Sequence, residues 1–473
     1  MPSGLEPTVS NAFPMNTATS TTTTPPVSPP DMWKAYLAFL GPMIVSNILQ
    51  ALSGTVNNIY LGQMLGVSAM ASVSAFFPVL FFLIAFMIGL GSGAAVLIGQ
   101  AWGAREVEQV KAIAGTTLMV GVSAGLIVAL FGGSFTEPLL IALGTPADIL
   151  PGATAYAQIV LIAAPGIFIF LLVTSMLRGV GDTKTPLKTL LISTVVGLVV
   201  TPALIQGWFG LPRVGVASGA YAAVASYVVA LTWTAWYLLR TKHALAPDAA
   251  FRKYLRIDRT ILAKVLRIGL PTALSMVTIS LSEVAVLFLV NRFGSQATAA
   301  YGAVNQIVSY VQFPAISIAI TASILGAQAI GAGRSPILGK IARTGIMLNL
   351  VLTGSLVLLG YVFSRSIIGL FITDGAVVEM AQTLLHIMLW SSVILGMSMV
   401  LSGLMRASGT VLVPTAIGMI AIGGIQVPVA WALSIQYGLT GIWAAYPVAF
   451  LAMLAMQTAY YRLVWRNKPI RRL

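Results

Sequence analysis

From Trp33 onward, the chain consists of long apolar runs separated by short polar breaks. A helix that spans a bilayer needs about 20 consecutive, mostly apolar residues. The runs cover residues 35–60, 68–99, 111–133, 153–178, 186–207, 214–240, 264–291, 297–329, 340–364, 378–405, 413–435 and 439–463. This pattern predicts an all-α polytopic membrane protein with twelve transmembrane helices.

The composition excludes several other classes of protein. Only 8% of the residues are charged, against about 25% in an ordinary soluble domain, so neither a soluble enzyme nor a disordered chain fits. Strands of an outer-membrane barrel alternate polar and apolar residues, and these runs do not. The chain has no Cys and only two His, which lie far apart, so we expect no metal site and no cofactor. No His, Asp or Cys cluster lies within a run, so we expect no enzymatic activity.

Basic residues indicate the orientation. With the N-terminus in the cytoplasm, 23 of the 26 Lys and Arg lie in cytoplasmic loops and tails, and only Arg213, Arg292 and Arg365 lie outside. The positive-inside rule then predicts cytoplasmic termini in a bacterial plasma (inner) membrane. The net charge of +14 is explained by anchoring to anionic lipid, so we expect no nucleic-acid partner. We expect a monomer whose partners are the lipid bilayer and a small organic substrate.

Polar stretches divide the chain into segments. Residues 1–31 contain STTTTPPVSPP and similar low-complexity sequence, which predicts a disordered cytoplasmic tail. The longest internal polar stretch, residues 241–263, follows the sixth run and predicts a cytoplasmic linker. We therefore expect an N-terminal lobe over 32–240, a C-terminal lobe over 264–464 and a basic cytoplasmic tail over 465–473.

The two halves of the chain resemble each other at a constant shift of 228 residues. IGQAWGA (98–104) matches GAQAIGA (326–332), and MLRGVGDTKTP (176–186) matches LMRASGTVLVP (404–414). Each half has an even number of helices, so both halves have the same orientation. Such parallel repeats are typical of transporters in which two bundles rock around a midplane cavity. A receptor or a channel is the alternative, although neither commonly needs this duplication.

These motifs also carry a family resemblance. They are GPMIVSNILQALSGTVNNIYLGQMLG in helix one, GLGSGAAVLIGQAWGAREVEQVK at the end of helix two, LRGVGDTKTPLK after helix four, GLPTALS in helix seven and AAYGAVNQIVSYVQFPAISIAITASILGAQAIGAG in helix eight. In their order and repetition, the chain resembles the multidrug and toxic compound extrusion (MATE) family of the MOP flippase superfamily over about residues 35–465.

The resemblance implies a fold and a function. The implied fold is two six-helix lobes around a central cavity. The implied function is an antiporter that exports small amphipathic, usually cationic organic compounds (drugs and toxins) in exchange for inward H⁺ or Na⁺. Flippases in the same superfamily make a lipid or lipid-linked precursor flippase the alternative. A flippase would need basic residues to hold a phosphate, and no Lys or Arg lies at the centre of a run, which favours the exporter.

Carboxylates are the most informative polar residues, because a charge in hydrocarbon is costly. Among the twelve Asp and Glu, only Glu283 lies well inside an apolar run, and Ser280 shares its helix face. We predict that these two residues form the coupling-ion site, where the carboxyl group takes up a proton or cation from one side and releases it to the other. The alternative is a structural Glu that is satisfied by a neighbouring helix.

Polar residues on helix eight predict a substrate cavity. Asn305, Ser309 and Gln312 recur at i, i+4 and i+7, which places them on one helix face, and Tyr310 flanks them. The alternative is that these side chains only hold helices together.

Three further residues complete the predicted cavity. His386 and Trp390 recur at i and i+4 in helix ten and could present an imidazole and an aromatic wall, although His386 could instead lie near the outer interface. Many relatives carry an Asp in helix one where this chain has Asn57, and Asn and Asp in helix five where it reads GLVVTP. The first-lobe acid network is therefore absent, and Asn57 could offer only an amide oxygen to Na⁺.

Overall fold

The computed structural model describes residues 32–473, apart from the side chain of Phe209, so the predicted tail over 1–31 lies outside the described residues. Twelve spans follow one another. They are α1 (Met32–Leu65), α2 (Val67–Gly103), α3 (Val107–Ala142), α4 (Leu150–Ile162 and Ala164–Gly179), α5 (Lys184–Gln206), α6 (Gly215–Arg240), α7 (Arg259–Asn291), α8 (Ser295–Gly331), α9 (Ser335–Val362), α10 (Gly375–Ala407), α11 (Leu412–Tyr437) and α12 (Leu439–Trp465).

The spans confirm the predicted all-α membrane fold. Each predicted run coincides with one span, and no strand occurs between residues 32 and 473. Two short α-helices, Ala249–Arg252 and Ser364–Gly369, and one 3-10 turn, Trp208–Gly210, lie between spans. We call α1–α6 the first half and α7–α12 the second half.

One span differs from its predicted continuous helix. The two segments of α4 meet at a bend of 56°. The second segment begins at Ala164 with Pro165 in its first turn. Proline cannot donate a backbone hydrogen bond and its ring clashes with the preceding turn, so the first segment ends here and the second begins in a new direction.

Turns between paired spans are built the same way in both halves. Gly66 separates α1 from α2 with φ +87°, and Gly294 separates α7 from α8 with φ +97°. Only glycine adopts this backbone conformation without steric cost. Each half therefore begins with a tight hairpin of two long helices, and these four helices form most of the contact between the halves.

Small residues allow the two halves to approach closely. A side chain at Gly89 in α2 would collide with the backbone of Gly269 in α7, and one at Gly269 would collide with Gly89. The α1 helix reaches the second half through Tyr36, whose hydroxyl donates to the carbonyl oxygen of Ile341 at 2.9 Å. Close backbone approach at small residues is the usual way in which membrane helices pack.

The ends of α2 and α8 meet in a reciprocal contact that we call the closed end. A side chain at Gly103 would collide with the carbonyl of Gln328, and one at Gly331 would collide with the carbonyl of Gln100. The Gln100 amide donates to the carbonyl oxygen of Ala407 at 2.7 Å. The Gln328 amide donates to the carbonyl oxygen of Gly179 at 3.1 Å. At the shift of 228 residues, Gly179 is the equivalent of Ala407. This pseudo-twofold arrangement is what a parallel repeat produces.

Candidate coupling site and central cavity

Glu283 lies on α7, eight residues before the helix ends at Asn291. The α7 helix begins at a strong N-terminal cap, because the Asp258 carboxylate accepts from the backbone N–H groups of Thr260 and Ile261. From that cap the helix runs through the apolar sequence that carries Glu283, and its side chain is half-buried. The carboxyl group therefore lies well inside a span, on the side of the molecule away from the closed end.

One carboxylate oxygen of Glu283 is surrounded by hydrogen-bond donors from two other helices. Its Oε2 accepts from the hydroxyl of Tyr301 at 2.5 Å and from the hydroxyl of Tyr446 at 3.1 Å. The Asn305 amide donates to the same oxygen at 3.4 Å. The two tyrosine hydroxyl oxygens are 2.8 Å apart. Residues of α7, α8 and α12 thus meet at one oxygen atom.

Aromatic packing fixes this polar cluster. The ring of Tyr301 stacks on Trp443 with ring centres 5.4 Å apart and planes 7° from parallel. Tyr446 packs edge-on against Phe450. Tyr301, Trp443 and Tyr446 are all buried, so the ring packing holds the two hydroxyl oxygens beside Glu283.

The donor set suits a carboxylate that binds and releases a proton or another cation. An ionised carboxylate is only an acceptor, and hydrogen bonds to a charged group are stronger than those between neutral groups. Each tyrosine hydroxyl has one hydrogen, yet the three oxygen atoms lie within hydrogen-bond distance of one another. A proton arriving on Glu283 can therefore be accommodated by turning the hydroxyl hydrogens, without moving a helix.

A cavity of about 270 Å³ lies between the halves. It is lined by Asn47, Gln50 and Ala51 of α1 and by Phe313 and Ile316 of α8. The side-chain amide of the lining residue Asn47 donates to the hydroxyl of Ser317 on α8 at 3.0 Å. The lining combines amides with apolar groups and contains no charged side chain.

The α8 helix connects the Glu283 cluster to the cavity. Asn305, Ser309 and Ile316 lie on one face, because they are separated by four and then seven residues. Asn305 contacts Glu283, Ser309 is exposed, and Ile316 lines the cavity. The residue that contacts the carboxylate and the residue that lines the cavity therefore belong to the same helix, which carries Pro314 between them.

The roles of the predicted coupling residue Ser280 and of the predicted cavity residues on α8 stay predictions, but the position of each side chain is defined. Ser280 is half-buried and is not one of the donors to Glu283. The Ser309 hydroxyl donates to the carbonyl oxygen of Asn305 at 2.8 Å. Tyr310 packs edge-on against the cavity residue Phe313, and Gln312 is half-buried on the same helix.

The other three predicted cavity residues lie apart from Glu283. Asn57 lies about 4 Å from the Cβ position of Gly219, within the first half. His386 contacts Ser364 through its Nε2 at 3.2 Å and packs on the ring of Tyr361, with centres 5.0 Å apart. Trp390 is 40% exposed.

Sequence reasoning missed the two tyrosines. Tyr301 precedes Asn305 by four residues, so extending the polar face of helix eight backwards by one turn would have found it. Tyr446 lies in IWAAYPVAF, where no polar pattern identifies it, because its partners come from other helices. Between residues 32 and 473, no group of three His, Asp or Glu side chains could hold a metal ion.

Twelve spans in two parallel halves that are joined at one end, with a cavity between the halves and a half-buried carboxylate inside a span, define a polytopic membrane protein of the transporter class. The MatE family model matches residues 42–203 and 271–432, which is one match in each half. The chain belongs to the MATE family of transporters.

Curated relatives extend over nearly the whole chain. The probable multidrug resistance protein YoeA of Bacillus subtilis is 44% identical, covering 97% of this chain and 100% of its own length. The multidrug export protein MepA of Staphylococcus aureus is 24% identical, covering 91% of this chain and 94% of its own length.

Solved structures share the fold. An outward-facing conformation of a multidrug resistance MATE family transporter has a TM-score of 0.84 at 21% identity, covering 91% of this chain and 95% of that one. A mutant of the Vibrio cholerae MATE transporter VcmN has a TM-score of 0.85 at 21% identity, covering 93% of this chain and 98% of that one.

Proposed function

We propose that the protein is a secondary active efflux antiporter that exports small amphipathic, cationic organic compounds in exchange for H⁺ or Na⁺. The observation that carries this proposal is the Glu283 carboxylate, held by three donors inside a membrane span. The names of the relatives YoeA and MepA, a probable multidrug resistance protein and a multidrug export protein, support an export function.

The proposed mechanism is competition at one carboxylate. A negative charge inside a span is costly unless a cation neutralises it. An inward-moving H⁺ or Na⁺ can neutralise Glu283, and so can the positive charge of a substrate that reaches from the cavity along the polar face of α8 to the carboxylate. Because only one of them binds at a time, arrival of the coupling ion releases the substrate, which is the minimal requirement for antiport.

The proposed coupling acts through α8. When Glu283 is neutralised, the donors Tyr301 and Asn305 lose their charged acceptor, and both lie on α8. The same helix lines the cavity and meets α2 at the closed end. A small change in α8 could therefore alter both the cavity and the contact between the halves, as alternating access requires.

We place the protein in a bacterial plasma membrane, with the closed end in the cytoplasm. The support is the sequence bias, since 23 of the 26 Lys and Arg belong to the loops and tails on that side. The cavity then faces outward. In this orientation, the conformation of the structure is the outward-facing one, which releases substrate to the outside and admits the coupling ion from there.

The test is transport in liposomes with proton and sodium gradients imposed independently. The unaltered protein should move a fluorescent organic cation when one of the gradients is present, and Glu283→Gln should reduce this movement by at least about tenfold, an effect of about 1.4 kcal/mol. Glu379→Gln is the matched control, because Glu379 is exposed near the start of α10.

The outcomes separate the possible functions. Equal transport by Glu283→Gln and the control would contradict the coupling assignment. Movement of a labelled phospholipid without movement of an organic cation would favour the flippase. Movement of neither under any gradient would contradict transport of these two substrate classes.

A further inference from the structure

The residues after α12 pack against the closed end. We call residues 465–473 the tail strap. The Trp465 indole donates to the hydroxyl of Ser408 at 2.9 Å, and the Leu473 side chain packs against Gly409 so closely that a Cβ there would lie 2.7 Å from it. Both contacts are with the loop between α10 and α11, so the start and the end of the strap are both attached to the second half.

The tail strap also binds the first half. The Arg472 guanidinium forms a two-bond ion pair with the Glu106 carboxylate, at the start of α3, with Nη1 and Oε1 2.7 Å apart. The backbone N–H of Leu473 donates to the Gln100 side chain at 2.9 Å. Gln100 is the residue whose amide already joins α2 to Ala407 at the end of α10. The strap therefore adds one ion pair and one backbone hydrogen bond across the contact between the halves.

The repeat explains why the chain folds back here. At the shift of 228 residues, Tyr461 and Trp465 correspond to Trp233 and Tyr237, and both pairs stack, with ring centres 5.2 Å and 5.1 Å apart. Leu473, which is half-buried, corresponds to Leu245, which is buried. We call residues 237–245 the linker strap. The tail strap is thus its structural repeat.

The two straps differ in what they join. In and just after the linker strap, His243 lies 3.8 Å from Asp182, and Asp248 lies 3.8 Å from Lys111. All four residues belong to the first half or to the linker that leaves it. The tail strap begins in the second half and reaches Gln100 and Glu106 in the first.

We propose that the tail strap is an intramolecular latch that holds the closed end shut, with Arg472 and Leu473 of the second half bound to Glu106 and Gln100 of the first. This inference rests on the alternating access of the proposed function. Opening the closed end separates the halves, so the Arg472–Glu106 pair and the Leu473–Gln100 bond must break. The latch therefore favours the conformation in which the cavity is open at the opposite end.

The size of the effect follows from the exposure of the pair. The side chains of Arg472 and Glu106 are 30% and 47% exposed. A surface ion pair of this kind shifts a two-state equilibrium by about two- to fivefold. That shift sets the balance between the two conformations without preventing their exchange.

The test measures the distance between the halves at the closed end. The chain has no Cys, so spin labels can be placed at two introduced cysteines, Glu108→Cys in α3 and Pro336→Cys in α9, which are equivalent exposed positions. Double electron–electron resonance on the full-length protein in nanodiscs then reports the populations with short and long distances. Size-exclusion chromatography confirms that each variant is folded.

We expect Arg472→Ala and Glu106→Ala each to increase the long-distance population about two- to fivefold, with no further increase when they are combined. The charge-exchanged pair Glu106→Arg with Arg472→Glu should restore the original populations. Arg471→Ala is the matched control, because Arg471 is the exposed neighbour of Arg472.

The outcomes distinguish this inference from the proposed function. If the closed end opens and the variants leave its populations unchanged, the latch is wrong and alternating access stands. If the unaltered protein and every variant keep one distance under all gradients, both the latch and alternating access are wrong.

Discussion

The two halves share a frame but differ in the polarity of their interior. Glu283, Tyr301, Asn305 and Tyr446 form the polar cluster of the second half. At the shift of 228 residues, the first half has Thr55, Val73, Phe77 and Ser218 at these positions. The same helix positions are therefore occupied by a hydrogen-bonded carboxylate in one half and by uncharged, mostly unconnected side chains in the other.

This difference shows which features the fold requires and which belong to function. The closed-end glycines, the Gln100 and Gln328 bonds and the positive-φ turns occur in both halves, so they serve the frame. The carboxylate cluster occurs in one half only. A site that the frame does not need, and that is costly to keep in a membrane, is the best candidate for the energy-coupling step.

The largest effect is expected when the acid is moved to the other half. We predict that Thr55→Glu does not restore transport to Glu283→Gln, because Val73 and Phe77 cannot donate hydrogen bonds to a new carboxylate. Liposome transport should stay at least about tenfold below that of the unaltered protein. Recovery of transport would mean that an acid in either half suffices, and that the surrounding donors are unimportant.

The next effect concerns the two tyrosines. Tyr301→Phe and Tyr446→Phe each remove a donor to Glu283 and keep the ring packing. The loss of a hydrogen bond to a charged group costs about 1.5–3 kcal/mol, so each variant should reduce ion-driven transport by about tenfold or more. Because the hydroxyl groups also contact each other, the double variant should lose less than the sum of the single effects.

The control for the tyrosines comes from the same aromatic cluster. Phe450→Leu removes the ring that packs edge-on against Tyr446 and leaves both hydroxyl groups in place. It should change stability more than the ion dependence of transport. If Phe450→Leu and Tyr446→Phe have the same transport profile, packing rather than donation to Glu283 explains the effect.

A third prediction uses the features that the halves share. Gly103→Ala and Gly331→Ala each place a methyl group against a backbone carbonyl of the other half, and such overpacking costs about 1–3 kcal/mol. We expect both to lower the thermal unfolding midpoint by similar amounts. Gly41→Ala is the control, because its side chain would meet open space. Clearly unequal effects of the two closed-end variants would break the pseudo-twofold description.

The fold could be predicted from the sequence because it depends on local features. Twelve apolar runs, the even number per half and the 228-residue shift are all readable without knowing any contact. The bend in α4 was readable only in part, since Pro165 marks a break but does not give its angle. The tail over 465–473 reads as basic from its composition, and its packing on Ser408 and Gly409 depends on the folded closed end.

The candidate site was only partly predictable, for a physical reason. Glu283 was found because a charged residue within an apolar run is costly in a membrane, and this position can be recognised from the sequence of one helix alone. Its partner Tyr446 is 163 residues away in the sequence, and a tyrosine in an apolar helix is equally compatible with simple packing. Asn305 was predicted to line the cavity, and in the structure its side-chain amide contacts Glu283. The residues that solvate the charge become visible only when the helices are assembled.

The smallest predicted effect again compares the two straps, through their response to pH. Burial lowers the pKa of His243, and the nearby Asp182 opposes this shift. The Nδ1 atom of His243 accepts from the backbone N–H of Leu245 at 3.2 Å. The folded linker strap therefore favours neutral His243. Because the unfolded form binds the proton more tightly, stability is complete above the ordinary pKa of about 6.5 and falls as the pH drops below it.

The tail strap should respond in a different pH range. The hydrogen bond from Arg472 lowers the pKa of Glu106, so its stabilisation is complete above the ordinary carboxyl pKa of about 4.3 and is lost only in stronger acid. Between pH 8 and pH 5.5, hydrogen-exchange protection at Leu245 should therefore fall, while protection at Leu473 stays constant. His243→Asn should remove the difference, because an amide oxygen can accept the same backbone bond without titrating. Equal pH responses in both straps would show that neither the titration of His243 nor the Arg472–Glu106 ion pair controls how the straps are held.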